Sequence, residues 1–408
     1  MKPTNKLKII NDPIYGFITL PGELLFQLIE HRYFQRLRRI SQMGMSYIVY
    51  PGAHHTRFQH ALGAMFLMQK AVYALRTKGI QISEAEHEAL LVAILLHDIG
   101  HGPFSHAMEH SIVEDVDHEY LSLAFMKKLN EECNGALDTA IAIFTNRYPR
   151  KFMHQLVSGQ LDMDRLDYLR RDSFYTGVSE GAVNTERLIT MLNVHDDTLV
   201  VEEKGIYSVE KFIVARRLMY WQVYLHKTSL VAEQLLLRLL KRAKEVTQAG
   251  ATLPATPALQ FFLTTTITKR TFSSEVLEQF SKLDDYDIVS AIKMWVSAED
   301  TVLRTIAKML LNRDLLKVKL KKNPVTVARM HSKKRALMQR DHLSEAEASY
   351  FVFQGEISNL AYRMDHNAIH LLKKNGKMID VAKASDQLNI EALSKTVIKY
   401  YLCYPKSL

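Results

Sequence analysis

Histidine and aspartate crowd into three short stretches of this 408-residue chain, which carries 17 histidines. PGAHHTRFQHALG holds His54, His55 and His60. LLHDIGHGPFSHAMEH holds His97, Asp98, His101, His106 and His110, and His118 follows in DHEY. LDMDRLDYLRRD supplies Asp162, Asp164, Asp167 and Asp172. Imidazole nitrogens and carboxylate oxygens together suit Mn, Fe, Ni, Zn or Co. A metal on such a set polarises phosphorus–oxygen bonds and lowers the pKa of bound water. Neighbouring histidines can protonate a leaving alkoxide or steady phosphate charge.

A lone histidine is ordinarily a surface or satisfied core residue, and adjacent His-Asp pairs arise often by chance. His97-Asp98, however, ends the apolar run ALLVAILL and is followed by Gly100, Gly102 and Pro103. A polar pair there is costly to bury without a partner. With His60 upstream and the aspartate cluster downstream, the pattern reads as a site rather than as scattered polar residues.

The elements that must position these groups are mostly helical. Apolar residues recur at helical spacing over 22–40, 58–76 and 84–97. Shorter helices are expected at 118–130, 136–146 and 164–172, and a long, interruptible one at 208–247. Strands are expected at 17–20 and 47–50, with a hairpin over 197–208 turning at EKG. QAGATLPATPA, 248–258, is the linker candidate. It divides an expected catalytic core, 1–247, from a helical and α+β region, 259–408, suited to oligomerisation or regulation. The expected class is mainly α, a helical core with small β-hairpins and a C-terminal α+β region.

The order His60, His97-Asp98, Asp164 resembles the HD superfamily of metal-dependent phosphohydrolases. NDPIYGFI, FQRLRRISQMG, YPGAHHTRFQHALG, LLHDIGHGPFSH, HE and LDMDRLDYLRRD, in this order, resemble more closely the deoxynucleoside triphosphate triphosphohydrolases. These include bacterial dGTPase-like enzymes and vertebrate enzymes with an added sterile alpha motif. The likeness covers roughly residues 8–230 and is weak beyond. It implies an HD-domain helical core, a dNTP substrate and one divalent metal on His60, His97, Asp98 and Asp164, with Mg on the substrate phosphates. His101, His106 and His118 fall beside the α-phosphate, and Glu109 on an acid that pairs with a catalytic histidine. Arg57, Arg165 and Arg216 fall on the phosphate tail. Gln42, Tyr168 and Asp172 fall on the deoxyribose, and Tyr220 and Tyr224 near the base. Glu30, Gln35 and Arg38 align with residues that read an activating nucleotide, and the likeness suggests a homodimer or tetramer.

Helical spacing supports part of this independently. Asp164, Tyr168 and Asp172 are four apart, as are Arg216, Tyr220 and Tyr224, so each set shares a helix face. By the likeness, water attacks the α-phosphorus, and His118 or His106 protonates the leaving 5′-oxygen.

Composition bounds the alternatives. At 47% hydrophobic and 24% charged, with net charge +9, the chain reads as globular and suited to anionic ligands. Two distant cysteines build no disulfide framework. No signal-like apolar segment or membrane-length run is present, so a cytoplasmic protein without membrane contact is expected. Two other functions fit the same residues: a different HD nucleotide phosphatase or phosphodiesterase, or a nucleic-acid-binding protein with nuclease activity. The basic stretch from Arg304 to Arg340, with Asp314 its only acid, motivates the second through weak, salt-dependent binding.

Overall fold

Two capped helices set the frame. Arg57–Thr77 opens on a capping box in which the Thr56 amide donates to Gln59 Oε1 at 2.8 Å. Glu84–Leu96 opens on a second, built from Ser83 and Glu86. Every residue from Ala89 to Leu96 is buried. This helix packs between Arg57–Thr77 and Asp138–Phe144, which is why its sequence is apolar all round. The computed structural model describes residues 8–104, 113–114, 116–365, 368–385 and 393–408.

A third helix, Met163–Thr176, crosses Arg57–Thr77. Asp162 caps it, accepting from the Arg165 amide at 2.7 Å, and Gly177 closes it at φ 71°. Gly63 permits the close crossing. A Cβ there would lie 2.0 Å from Asp167 Oδ1 and 2.2 Å from Arg171 Nη2. Gly100 does the same for the helix His118–Glu132, whose His118 carbonyl oxygen would lie 2.3 Å from a Cβ on Gly100.

The strands are small attachments to this helical body. Lys8–Asp12 and Gly16–Leu20 form an antiparallel hairpin. Thr198–Glu202 lies in a four-stranded sheet between Leu192–His195 and His370–Leu372, with Met378–Asp380 outermost. The pairing with His370–Leu372 is parallel and brings the C-terminal region onto the core. Lys317–Lys321, Val397–Tyr404 and Phe353–Asn359 make a separate antiparallel sheet. One cluster of buried apolar side chains runs from Ile18 to Tyr404.

Three local expectations are corrected. Residues 44–48 form a 3-10 turn rather than a strand at 47–50. Its carbonyls bond within the turn, as in Tyr50 N to Ser46 O at 2.9 Å, and Tyr47 stacks on His54. The hairpin near 200 turns at Asp196-Asp197, with φ of 47° and 56°, not at EKG. Two successive left-handed residues match the twist of flanking strands, and aspartate tolerates them. Glu203–Gly205 instead leads into the helix Ile206–Met219. The predicted 22–40 helix breaks at His31, whose backbone is extended and whose Nδ1 accepts from the Tyr33 amide.

The long helical stretch at 208–247 is interrupted. Ile206–Met219 passes into a π-turn at Tyr220–Tyr224, and Lys227–Gln248 restarts from a His226 cap. Within 248–258, Leu253 is buried and the Pro254 carbonyl accepts from Trp295 Nε1 at 3.0 Å. The basic stretch divides into the helix Thr301–Leu311, the edge strand Lys317–Lys321 and the helix Val327–Asp341. No helix among the described residues is long and apolar enough to cross a membrane.

Candidate active site

His60 enters from the first turn of Arg57–Thr77, His97 and Asp98 from the end of Glu84–Leu96, and Asp164 from the first turn of Met163–Thr176. His60, His97 and Asp164 offer ligand atoms within 4.8 Å of one another. Asp164 Oδ1 lies 3.1 Å from His60 Nε2 and 3.5 Å from His97 Nε2. Asp98 borders the group, Oδ1 at 3.4 Å from His97 Nε2 and Oδ2 at 3.7 Å from His60 Nε2. Asp98 Oδ2 also accepts from Arg57 Nη1.

The outer nitrogens of both imidazoles are already committed. His60 Nδ1 lies 2.7 Å from Asp167 Oδ2, and His97 Nδ1 lies 2.6 Å from the Ile94 carbonyl. Each arrangement puts the proton on Nδ1 and turns the Nε2 lone pair inward. Both Nε2 atoms are buried and make no aligned hydrogen bond. Two orphaned imidazole acceptors facing a carboxylate are what a divalent metal fits. Without a cation, burial lowers the His60 pKa, but the Asp164 and Asp167 carboxylates on either side of the ring outweigh it and lift it to about 10. A proton there stands in for positive charge that the carboxylates attract.

Asp167 is itself anchored. Arg171 Nε and Nη2 donate to its two oxygens at 2.9 and 3.0 Å, and Arg171 Nη1 donates to Asp12 at 2.8 Å. All three side chains are buried. Burial raises the Asp167 pKa, but the Arg171 charge and the His60 hydrogen bond carry it below the ordinary carboxylate value.

Beside the cluster a cavity of about 440 Å³ opens, lined by Gln42, Arg57, Tyr168, Asp172, Tyr220 and Tyr224 among others. Six of the eight residues expected to bind substrate therefore share one wall system. Asp172 is held on both oxygens, by His55 Nε2 at 2.6 Å and the Tyr224 hydroxyl at 2.7 Å. The π-turn re-aims Tyr220 and Tyr224, whose ring centroids are 5.2 Å apart, and Tyr224 meets Tyr168 edge-on at 6.0 Å. Regular helical spacing does not anticipate that turn.

Arg165 and Arg216 are placed differently. Arg165 Nε donates to the Gly159 carbonyl at 2.6 Å and lies 3.2 Å from Asp162. Arg216 Nη1 donates to the Ala361 carbonyl at 3.3 Å. His101 stacks on His118 with ring centroids 4.0 Å apart, and His101 Nε2 lies 3.3 Å from Asp98 Oδ1. His106 and Glu109 lie outside the described residues. Glu30 and Arg38 are exposed on the surface, where Arg38 Nε donates to Gln35 Oε1 at 2.8 Å and its guanidinium covers the Phe58 ring.

Sequence reasoning named Asp167 and His55 without a role, and it missed Asp12, Arg171 and Glu233. The spacing Asp167–Arg171, one helical turn, was the available signal for that pair. Nothing in the sequence pointed to Glu233.

Two family profiles match the chain: the HD domain over residues 57–172 and the HD associated region over 183–254. An uncharacterised protein of Bacillus subtilis is 32% identical over 425 residues, covering 100% of this chain and 94% of its own. A deoxynucleoside triphosphate triphosphohydrolase homologue of Dictyostelium discoideum is 32% identical over 240 residues, 54% of this chain and 46% of that protein. The match thus spans about half of that relative. The crystal structure of a phosphohydrolase from Bacteroides thetaiotaomicron superposes with a TM-score of 0.95 at 51% identity, over 98% of this chain and 100% of that one.

Proposed function

This chain belongs to the HD-domain phosphohydrolases, and on that premise we propose that it hydrolyses deoxynucleoside triphosphates to deoxynucleoside and tripolyphosphate. The observation that carries the reading is the adjacency of the His60–His97–Asp164 cluster to the cavity lined by Gln42, Arg57, Tyr168 and Asp172. A divalent metal, held by these three residues and Asp98, would supply charge to polarise the phosphorus–oxygen bond.

The chain's own groups do the rest. Arg57, steadied by Asp98, neutralises phosphate charge from the cavity wall. Water adds to the α-phosphorus as the bond to the 5′-oxygen breaks. His118, braced by the His101 ring, gives that oxygen its proton. Gln42, with a second lone pair of an Asp172 oxygen already steadied by His55 and Tyr224, takes the sugar hydroxyl, and the Tyr168 ring leaves little room for a 2′-hydroxyl. Positioning and charge neutralisation supply most of the acceleration. An activator at Glu30, Gln35 and Arg38, and assembly into dimers or tetramers, belong to the same reading.

One observation favours a second reading. Arg165 and Arg216 are engaged by carbonyl oxygens rather than turned toward a triphosphate tail. A nucleotide with a shorter phosphate chain would not need them. Product analysis of the Mn-supplemented protein with each dNTP separates the two. Deoxynucleoside with intact tripolyphosphate supports the first reading, and phosphate released from monophosphates alone supports the second. Faster turnover of dGTP than of GTP is expected from Tyr168, and equal rates remove that steric argument.

A further inference from the structure

We infer that Glu233 reads the nucleobase in the cavity and that the base it selects is guanine. The inference rests on the reading of the cavity as a deoxynucleotide site and adds a specificity to it. Glu233 lies on the Lys227–Gln248 helix, where it lines the cavity together with Gln234 and Leu237.

The carboxyl stands alone in its surroundings. Among the described residues no hydrogen bond or ion pair engages it, and burial by itself pushes its pKa up to about 7. The side chain is half-buried, so the carboxyl gives up part of its hydration to the cavity wall with no protein donor in return. Gln42 shares this wall and its buried Oε1 also has no hydrogen-bond partner, but the proposed reading gives it to the sugar; the remaining acceptors nearby already have donors. Both Asp172 oxygens are occupied by His55 and Tyr224, and Gln234 Oε1 accepts from Arg238 at 2.9 Å.

Gly44 shows where the carboxyl points. A Cβ at this residue, which sits at φ 50°, would lie 3.6 Å from Glu233 Oε1 and 3.4 Å from the Phe104 carbonyl oxygen. The space that glycine leaves open is therefore flanked by two oxygens, both acceptors. An edge made of acceptors calls for a ligand edge made of donors. Guanine alone among the four bases presents adjacent N–H donors, N1–H and the N2 amino group, which a carboxylate can accept as a pair. Adenine and cytosine set an acceptor beside their donor, and thymine flanks its one donor with carbonyls. Each would hold a lone pair against a carboxylate oxygen. Sites that leave a polar group unpaired against the wrong substrate discriminate strongly.

The test is kcat/KM of the metal-loaded protein for dGTP, dATP, dCTP and dTTP, before and after Glu233→Gln. The amide offers a donor beside an acceptor, the complement of adenine and cytosine. The native chain is expected to prefer dGTP over dATP by about tenfold or more, and Glu233→Gln to lower that ratio by about tenfold. A purely structural glutamate would slow all four substrates together, so an unchanged base ratio overturns the inference while leaving the triphosphohydrolase reading intact. If no triphosphate is turned over, that reading fails instead. Calorimetric binding of deoxyguanosine against deoxyadenosine then decides on Glu233 alone, and equal affinities overturn it. Should Glu233→Gln fail to fold, Glu233→Asp keeps the charge and is expected to keep the guanine preference. A flat base profile in that variant also overturns the inference.

Discussion

Asp167 is the residue on which the centre turns, although it stands one shell out from the cluster. It fixes the His60 proton on Nδ1 and takes two hydrogen bonds from Arg171. Asp167→Asn is expected to weaken metal affinity by about 10- to 100-fold, read by metal content after dialysis. It also unbalances a buried ion network, which is expected to lower stability by about 3 kcal/mol, read by denaturant unfolding. Affinity that is unchanged while stability falls would reduce Asp167 to a structural role. Asp164→Ala is expected to abolish metal retention altogether, and His118→Ala to retain metal while turnover falls by about 100-fold or more. The first is checked by elemental analysis and the second by the two measurements together. At Glu233 the sign of a pH effect follows from burial. Its folded pKa of about 7 lies above the ordinary carboxylate value, so ionisation penalises the folded state. The penalty is absent below the unfolded pKa, grows as pH rises toward 7 and is full above it. Glu233→Gln is therefore expected to raise the ligand-free Tm more at pH 8 than at pH 5. Equal gains at both would place its proton elsewhere.

At the scale of elements, the sequence was most legible where periodicity was long. The helices at 57–77, 84–96, 118–132 and 163–176 were each read to within a few residues, because their apolar faces repeat over several turns. The His60, His97 and Asp164 juxtaposition was legible for a related reason. Each residue sits at a helix end, where a polar group most readily meets another element. Short apolar runs were not legible. YIVY has strand-like composition, yet among the described residues no neighbouring edge pairs with it, and its backbone closes on itself. The π-turn at Tyr220–Tyr224 was hidden too, since it alters spacing without a proline or glycine to mark it. The crossing that sets the site is tight, and Gly63 is where it can be tested. Gly63→Ala would force a methyl group against the Asp167–Arg171 pair. A loss of about 1–3 kcal/mol is expected, with metal affinity reduced alongside. A variant as stable as the parent would show that the helices separate freely.

The molecule as a whole joins its two sequence regions through packing that no motif announces. Lys227–Gln248 packs against the 3-10 turn at Gly44–Ile48, Pro257–Thr264 and Thr301–Leu311. The 259–408 region was the least legible part of the chain, since it supplies no residue with recognisable chemistry. What it does supply is strand edges: Lys317–Lys321, with Lys317 and Lys319 exposed, ends one sheet in charge, which discourages further pairing. A chain cut after residue 247 is expected to be poorly soluble, because Thr198–Glu202 loses the strand beside it. Soluble expression of the shortened chain at levels matching the full one would contradict this.

That same parallel pairing has a consequence for synthesis. Val200 meets His370, about 170 residues further along. A ribosome adding roughly 5–20 residues per second needs on the order of ten to thirty seconds to deliver the second strand after the first. Through that interval Thr198–Glu202, which packs on the helix Lys151–Val157, is an open edge on a nascent chain. The protein's vulnerable moment thus falls before its release, and a pause in translation between codons 202 and 370 would lengthen it.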